Sequence, residues 1–569
     1  MDDSGAKKST LEEGLIRTLQ QPTAFTIICT LVVVLVTTRF VTGGSSSLKD
    51  GSKSPPLAPY WVPYLGHLPR LFFNPSFALT RLRNRYAEGV FSIRLFSRVH
   101  TVVFKPALAD VLLKQPSPVA DEQAIVRRLM VSNFGLSTKD LAAYDKACSE
   151  VQEKTNECLA NSHLSDLTKT TLHALNGQAA DLVSFNSFPI DQMEWERMAD
   201  AERVEEDARG QIIQEVDFMD LMKNFVARSA NTAIFGTDFV ENFQEIWQHL
   251  WFFDDWFITL ARNIPIWVPW LGGQRARSAQ RQLLLAMREY HEAWEQSLNG
   301  ENPGPKWQDL HNASQLVKSR VEVFRKHELS LDARAAYDLA LLWSINASSA
   351  SLISWSILEL YQDPVLLEQV RDEIAPFVSI VQPKHGFGES VWVAPKIENF
   401  DLDALLAKCP LLQAAYLETV RLYGGGWSSR WLNEDVVLKE DGKSAYVLKK
   451  GTYAHVLQDL HHSDPNSFSN PRDWQASRHL QKSVGEKGAQ SLNTITRSIK
   501  PYDGSLTLSD DSDYTLRKML MYTSVLISLY DIEPAGRGKW SIPVVTKGPV
   551  SSQPALPVRV WIKRREVKK

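Results

Sequence analysis

The chain has 569 residues, 44% hydrophobic, 10% aromatic and 23% charged, a composition that excludes disordered and collagenous classes. Lys plus Arg number 63 and Asp plus Glu 66, a formal charge of -3, without the basic excess of a general nucleic-acid binder. The four cysteines, Cys29, Cys148, Cys158 and Cys409, form no Cys-x-x-Cys pair; this excludes zinc ribbons and thioredoxin-like sites and fits a reducing setting for the main body.

Thr18 to Thr38 carries no charge, and its core, Ala24 to Thr38, is rich in Val, Leu and Ile. Roughly 20 apolar residues span a hydrocarbon core about 30 Å thick, so this stretch, about 18–41, predicts one transmembrane helix. A cleaved signal peptide is the alternative. The late start of the run and the acidic Asp2, Asp3, Glu12 and Glu13 before it favour an uncleaved anchor. Lys7, Lys8 and Arg17 precede the span and Arg39, Lys49 and Lys53 follow it, so the basic residues assign no orientation. A linker, Thr42 to Ser54, is flexible by composition. Pro55, Pro56, Pro59 and Pro63 then make a stiff, extended strap.

Phe91 to Phe104 reads as two strands with a turn near Ser97-Arg98. From about residue 138 to 380 helical periodicity dominates, clearest in Asp220 to Gly236 and Ala336 to Pro364. The second stretch is apolar nearly all round, which predicts a buried central helix. The acidic run Glu194 to Gly210 reads as a solvated face. Val436 to Leu457 reads as strands with a hairpin at Asp441-Gly442, and Pro557 to Arg565 as a strand with a basic tail. The pattern is a mainly α, α+β body.

Cys409 to Asp435, CPLLQAAYLETVRLYGGGWSSRWLNED, holds Glu418 and Arg421 three residues apart, hence on one helix face. Asn470 to Leu480, NPRDWQASRHL, supplies Arg478. Together these resemble the Glu-x-x-Arg helix and meander of cytochromes P-450. Tyr64 to Phe96, the end of the long helix from Trp355 to Pro364, Leu460 to Pro465 and Leu529 to Pro534 fit the same family. The branch resembled is that of prostacyclin synthase and sterol 7α-hydroxylase, with fungal relatives. The resemblance implies a P-450 fold over residues 55–569: a long central helix I with small β-sheets, after a tail, anchor and linker over 1–54. It also implies a structural triad of Glu418, Arg421 and Arg478, and a body on the cytosolic side of the endoplasmic reticulum.

One family feature is missing. The haem-ligand loop corresponds to Pro501 to Lys518, PYDGSLTLSDDSDYTLRK, where Tyr502 takes the aromatic slot and Ser505 and Asp511 stand at glycine positions. Ser509 stands where the ligand cysteine belongs. The family needs an anionic sulfur to favour O–O cleavage; a serine hydroxyl does not supply it. Asp510, Asp511 and Asp513 would be desolvated against a macrocycle. The expectation is therefore a degenerate member with no cofactor. Haem held by another residue, Tyr502 or Tyr514, is the alternative.

Such a fold offers a cavity for a small hydrophobic substrate. The expected activity is a non-oxidative cyclisation or isomerisation, including a pericyclic four-plus-two closure, of a terpenoid or polyketide in natural-product biosynthesis. Asn346, Ser348, Ser349 and Ser351 on the long helix are the candidate catalytic polar groups, with back-bonding to their own helix as the competing role. A haem-dependent monooxygenase or isomerase and a non-catalytic partner of a pathway oxidase are the other readings. Expected partners are the substrate, the membrane and other pathway enzymes, with no nucleic acid. No metal is expected: Phe252 to Trp256 and Ser509 to Tyr514 match only part of an aspartate-rich magnesium motif, and His455, Asp459, His461 and His462 read as a surface segment. Asn312 and Asn346 open sequons that matter only for a lumenal body.

Overall fold

The computed structural model describes residues 22–45, 52–204, 211–261, 271–382, 395–440, 445–484, 490–494, 512–540, 542–548 and 550–566. The chain divides into two compact units, Met1–Ile125 with Ser429–His461 and Val126–Ser428 with His462–Lys569.

The first unit opens with α1, Pro22–Val41. It has no breaker after Pro22, and the Thr30 and Thr38 hydroxyls donate to Thr26 O (2.8 Å) and Val34 O (2.7 Å), so neither is left unmet on an apolar helix. Its large side chains are exposed, Phe25, Ile27, Val33, Phe40 and Val41 among them. The proline strap is extended as expected: Leu57 pairs with Gly44, Ala58 N donates to Ser92 O at 2.8 Å, and Ser92 N returns a bond to Pro56 O. Two short helices follow, α2 (Leu68–Phe73) and α3 (Pro75–Arg85). Asn74 caps α3 by accepting from Phe77 N at 3.0 Å, and Pro75 sits in its first turn, where a missing N–H costs nothing.

The predicted strand pair is β1 (Val90–Leu95) and β2 (Arg98–Val103), antiparallel in register Val90 to Val103. Tyr453–Leu457 adds parallel to β2, and the five-stranded sheet ends through Trp427–Leu432 at Ala120–Asp121. Val436–Leu438 and Tyr446–Leu448 pair as expected; Asp441-Gly442 between them lies outside the described residues. Phe91, Ile93, Val102 and Phe104 pack against Leu79 and Leu82 of α3.

The second unit is a helical body. Its main helices are α4 (Leu141–Cys158), α5 (Asn161–Gln178), α6 (Phe218–Phe235), α7 (Ile246–Asp255), α8 (Leu271–Leu298) and α9 (Gln315–Lys326). After them come α10 (Leu331–Ala347), α11 (Ser349–Gln362), α12 (Pro364–Ile374), α13 (Pro410–Tyr423) and α14 (Ser512–Leu529). The long apolar helix read from the sequence is α10 and α11, joined at Ser348. From Ala333 to Ala347 and from Ser349 to Tyr361 every residue is buried, the state demanded by an apolar surface on all sides. Ser330 caps α10 through Ala333 N, and Asp363 caps α12 through Val365 N and Leu366 N. Pro557 to Arg565 is confirmed as a strand: Arg559–Arg564 pairs antiparallel with Tyr530–Pro534 and Ile213–Asp217.

The acidic run from Glu194 is not simply a solvated face. Glu196 is fully buried, and its carboxylate accepts from Ser184 N at 2.9 Å and Met193 N at 2.8 Å. Glu194 pairs with Arg228 of α6. Glu196 turns inward because it satisfies backbone N–H groups there, and Glu194 is half-buried against Arg228. Residues 205–210 of the run lie outside the described residues.

Candidate functional site

Helix α13 builds a buried charge cluster in the second unit. Its three-residue spacing sets Glu418 and Arg421 on one face, and Arg421 donates through Nε to Oε2 and through Nη2 to Oε1, both at 2.7 Å. Arg478 Nε reaches Oε1 at 3.1 Å and the Gln475 amide reaches it at 2.9 Å. The predicted triad therefore assembles. The sequence reading missed His479, whose Nε2 lies 2.9 Å from Glu418 Oε2; its position beside Arg478 was the one available signal. Arg421 also donates to the carbonyls of His462 and Pro471, each at 2.8 Å, tying α13 to the segment that follows. Burial alone would raise the Glu418 pKa; the bonds from Arg421 and His479 outweigh it and bring it down to about 2.

A second polar cluster surrounds the join between α10 and α11. The helix is interrupted at Ser348, leaving carbonyls that need other donors. Ile345 O accepts from Ser349 Oγ at 2.8 Å and from the buried Lys518 Nζ of α14 at 2.9 Å. Ala347 O accepts from Ser551 Oγ at 3.0 Å. Asn346 Nδ2 donates to Leu342 O at 2.7 Å, and its Oδ1 accepts from Asn231 of α6 at 2.8 Å. Ser351 Oγ accepts from Gln553 Nε2 at 2.6 Å. Asn346 and Ser349 are thus bonded back to their own helix, and Ser351 is bonded across to Gln553. Ser348 differs: it is half-buried, and its hydroxyl has no hydrogen-bond partner among the described residues. With Asn346 fully buried, its sequon is closed in the folded chain.

Below this join, Tyr423 donates to Glu359 and stacks on Trp355 at 4.1 Å between ring centroids. Gln362 Nε2 donates to the other carboxylate oxygen of Glu359 at 2.9 Å. Desolvation lifts Glu359 to about 7, although the bond from Tyr423 opposes it. This pair had no signal in a local sequence window, since the partners are 64 residues apart.

The residues considered as iron ligands divide as follows. Ser509 and Tyr502 lie outside the described residues. Tyr514 is buried, and its phenol meets Thr171 Oγ1 of α5 at 3.1 Å, which commits it to the helix bundle rather than to a ligand role. Cys409 is fully buried, donates to Glu373 O at 3.7 Å, and is pushed up to about 12 by burial and by Glu373. Cys158 is raised by burial and contacts Ser319 Oγ. Cys29 is exposed on α1, and Cys148 lies on α4. Burial favours the neutral form of both buried thiols, so neither Cys158 nor Cys409 offers a ready thiolate.

The decoys resolve. Asp254 is buried, accepts from Trp343 Nε1 at 2.8 Å and is lifted by desolvation to about 7, whereas Asp255 is exposed. Neighbouring aspartates that point apart do not share a cation. His455 meets His100 Nδ1 at 2.9 Å and Ser429 Oγ at 2.7 Å, and desolvation lowers it to about 3. Among the described residues no three His, Cys, Asp or Glu side chains group as metal ligands.

Comparison with known proteins agrees with this architecture. The family model described as Cytochrome P-450 matches residues 169–496, more than half of the chain. Cytochrome P-450 7B1 of Mus musculus is 24% identical over 486 residues, 84% of this chain and 85% of that protein. The 25-hydroxycholesterol 7-alpha-hydroxylase of Rattus norvegicus is 25% identical over 289 residues, 49% of this chain and 62% of that protein. Cytochrome P-450 monooxygenase nodJ of Hypoxylon pulicicidum is 18% identical over 523 residues, 90% of each chain. These matches correct the expectation that no cofactor is used. The matched family is one of haem proteins, and the relatives carry the names of hydroxylases and monooxygenases.

Proposed function

Since the chain belongs to the cytochrome P-450 family, we propose that it is a relative of the monooxygenases that rearranges a hydrophobic molecule instead of oxygenating it. The reaction is a cyclisation or an isomerisation, including a pericyclic closure, of a terpenoid or polyketide in natural-product biosynthesis. The observation that carries this reading is the state of the two buried thiols: Cys158 and Cys409 are desolvated and each donates a hydrogen bond, to Ser319 Oγ and Glu373 O, so neither offers a ready thiolate for O–O cleavage. The 25-hydroxycholesterol 7-alpha-hydroxylase among the relatives is named for a hydrophobic sterol, which supports a hydrophobic substrate.

The work left to the fold is positional. A polyene held in a near-attack shape loses several kcal/mol of its barrier without a redox step. Ser348, unengaged at the helix join, is the hydroxyl we assign to the substrate; Asn346, Ser349 and Ser351 hold the join in place. In this reading residues 1–54 are the tail, anchor and linker, α1 spans the endoplasmic-reticulum membrane once, and residues 55–569 form the cytosolic body. The substrate enters from the bilayer.

The test is the mass of the product. Full-length protein in membranes is given intermediates that accumulate in a strain lacking it. Conversion to an isomer of equal mass supports the reading; gain of an oxygen atom overturns it. So does a reduced carbon-monoxide band near 450 nm, the mark of a thiolate. Family membership itself favours a second reading, haem-dependent monooxygenase or isomerase chemistry through an unusual ligand. A Soret band at shorter wavelength, lost on substitution of Ser509 or Tyr502, would establish it.

A further inference from the structure

In the last turn of α7, Asp254 is a buried carboxyl that forms no ion pair among the described residues. It is 6% exposed. Its Oδ1 accepts from Trp343 Nε1 of α10 at 2.8 Å, and its Oδ2 has no hydrogen-bond partner among the described residues. The charges that act on it, Asp255 of α7 and Lys223 of α6, oppose one another, and burial outweighs both. A carboxylate in such a place is costly, so the group keeps its proton to unusually high pH. The indole N–H can only donate. A proton held by the carboxyl therefore sits on Oδ2, the oxygen that nothing else engages. A buried acid left this way, with its proton available near neutral pH, is suited to general-acid work.

The surroundings are aromatic. Trp343 stacks on Phe257 with ring centroids 4.1 Å apart and planes 5° from parallel. Phe134 stands 5.8 Å from Trp343 and 5.9 Å from Phe257, and Phe253, the neighbour of Asp254 in the chain, is 5.8 Å from Phe257. All four rings are buried. Asn133 Nδ2 donates to Phe257 O at 2.8 Å, and Gln280 Nε2 of α8 donates to Asn133 O at 2.5 Å, which ties the Phe134 and Phe257 segments together. The face of an aromatic ring attracts a cation, most strongly where water is excluded. An acid beside such rings can create a carbocation, and the rings can hold it away from water.

We propose that Asp254 is the catalytic acid of the rearrangement, and that the substrate is an isoprenoid polyene cyclised through a cation held by Trp343, Phe257 and Phe134. The proposal rests on the rearrangement reading above and narrows it from a pericyclic closure to a proton-initiated one. The Oδ2 proton adds to one carbon of a C=C bond; the π pair becomes the new C–H bond and the other carbon becomes cationic. A second C=C of the same molecule attacks that carbon, and a ring C–C bond forms. A carbon next to the new cation then gives a proton to the Asp254 carboxylate, and its bonding pair makes a new C=C. The acid is restored and the product is an isomer of the substrate.

Deuterium uptake tests it. Full-length protein in membranes is given, in deuterium oxide, the intermediate that accumulates in a strain lacking it. The product should carry one carbon-bound deuterium. In ordinary water turnover should fall as pH rises through about 7, where Asp254 loses its proton. Asp254→Asn keeps an acceptor for Trp343 and should slow turnover about 100-fold or more. Trp343→Phe keeps a ring but removes the N–H that lowers Asp254, so its falling pH limb should move to higher pH; a merely structural indole would leave the limb in place. That limb decides the matter if Asp254→Asn does not fold, and an unmoved limb overturns the proposal. An isomer without deuterium, or full turnover by a folded Asp254→Asn, overturns the acid and leaves the rearrangement standing. A product that has gained oxygen, or no conversion at all, overturns the acid and the rearrangement together.

Discussion

A carboxylate without solvent contact is costly unless cations and donors surround it, and Glu418 has both. Its pKa of about 2 lies below the ordinary 4.5, so the stability it contributes is present above about pH 4.5 and is lost as pH falls toward 2. The shift corresponds to about 3 kcal/mol. Glu418→Gln leaves Arg421 buried beside a neutral amide, and we expect it to cost about 3–5 kcal/mol at pH 7, with a flatter acid limb in urea titrations from pH 7 to 3. Glu359 has the opposite sign. Its pKa of about 7 lies above the ordinary value, so its ionisation destabilises the fold progressively as pH rises from about 4.5 through 7. Glu359→Gln keeps an acceptor for Tyr423 and removes the charge. It should raise stability at pH 8 by up to about 3 kcal/mol and leave it unchanged at pH 4. Equal effects at both pH values would show that packing, not charge, is responsible.

At the scale of the element, the join between α10 and α11 separates residues that hold the helix from one that does not. Asn346→Ala removes a partner of the buried Asn231 side chain, which keeps its bond to Ala227 O, and should cost about 1–3 kcal/mol of stability. Lys518→Met removes the buried donor to Ile345 O and should cost a similar amount. Ser348→Ala removes a hydroxyl with no partner among the described residues, so the melting temperature should not move. Its effect belongs on turnover, about 5–150-fold slower if one hydrogen bond worth about 1–3 kcal/mol is lost in the transition state. A Ser348→Ala variant with unchanged turnover would remove Ser348 from the mechanism; one with a lowered melting point would make it structural. The long helix was legible because its apolar residues cover every side, and the triad because charges three residues apart share a face. The join was not legible. The donors that sustain it, Lys518 and Ser551, come from 173 and 204 residues away, and only tertiary packing brings them there. For the same reason local composition made Glu194 and Glu196 solvated, although Arg228 and the Ser184 amide take them inside.

For the whole molecule, a net charge of -3 does not describe the local distribution: Arg70, Arg81 and Arg85 lie within electrostatic reach of Arg39 beside α1 in the first unit, and both units hold ion pairs, such as Arg430 with Glu122 and Arg320 with Asp338. Two forces would then hold the protein to a bilayer, and they respond differently to salt. Burial of α1 is apolar and insensitive to ionic strength. The arginine surface is screened, because the Debye length shrinks from about 8 Å at physiological salt to about 3 Å at 1 M. Full-length protein should resist extraction by 1 M salt and yield only to detergent. A chain lacking residues 1–41 loses the helix and Arg39 but keeps Arg70, Arg81 and Arg85. It should still sediment with phosphatidylserine vesicles at low salt, release at 1 M, and remain in solution with phosphatidylcholine alone. Release of the full-length chain by salt would show that α1 does not span. Salt-resistant binding of the shortened chain would show that exposed apolar residues, with Phe77 and Tyr64 foremost, insert on their own and that the arginines only add to them.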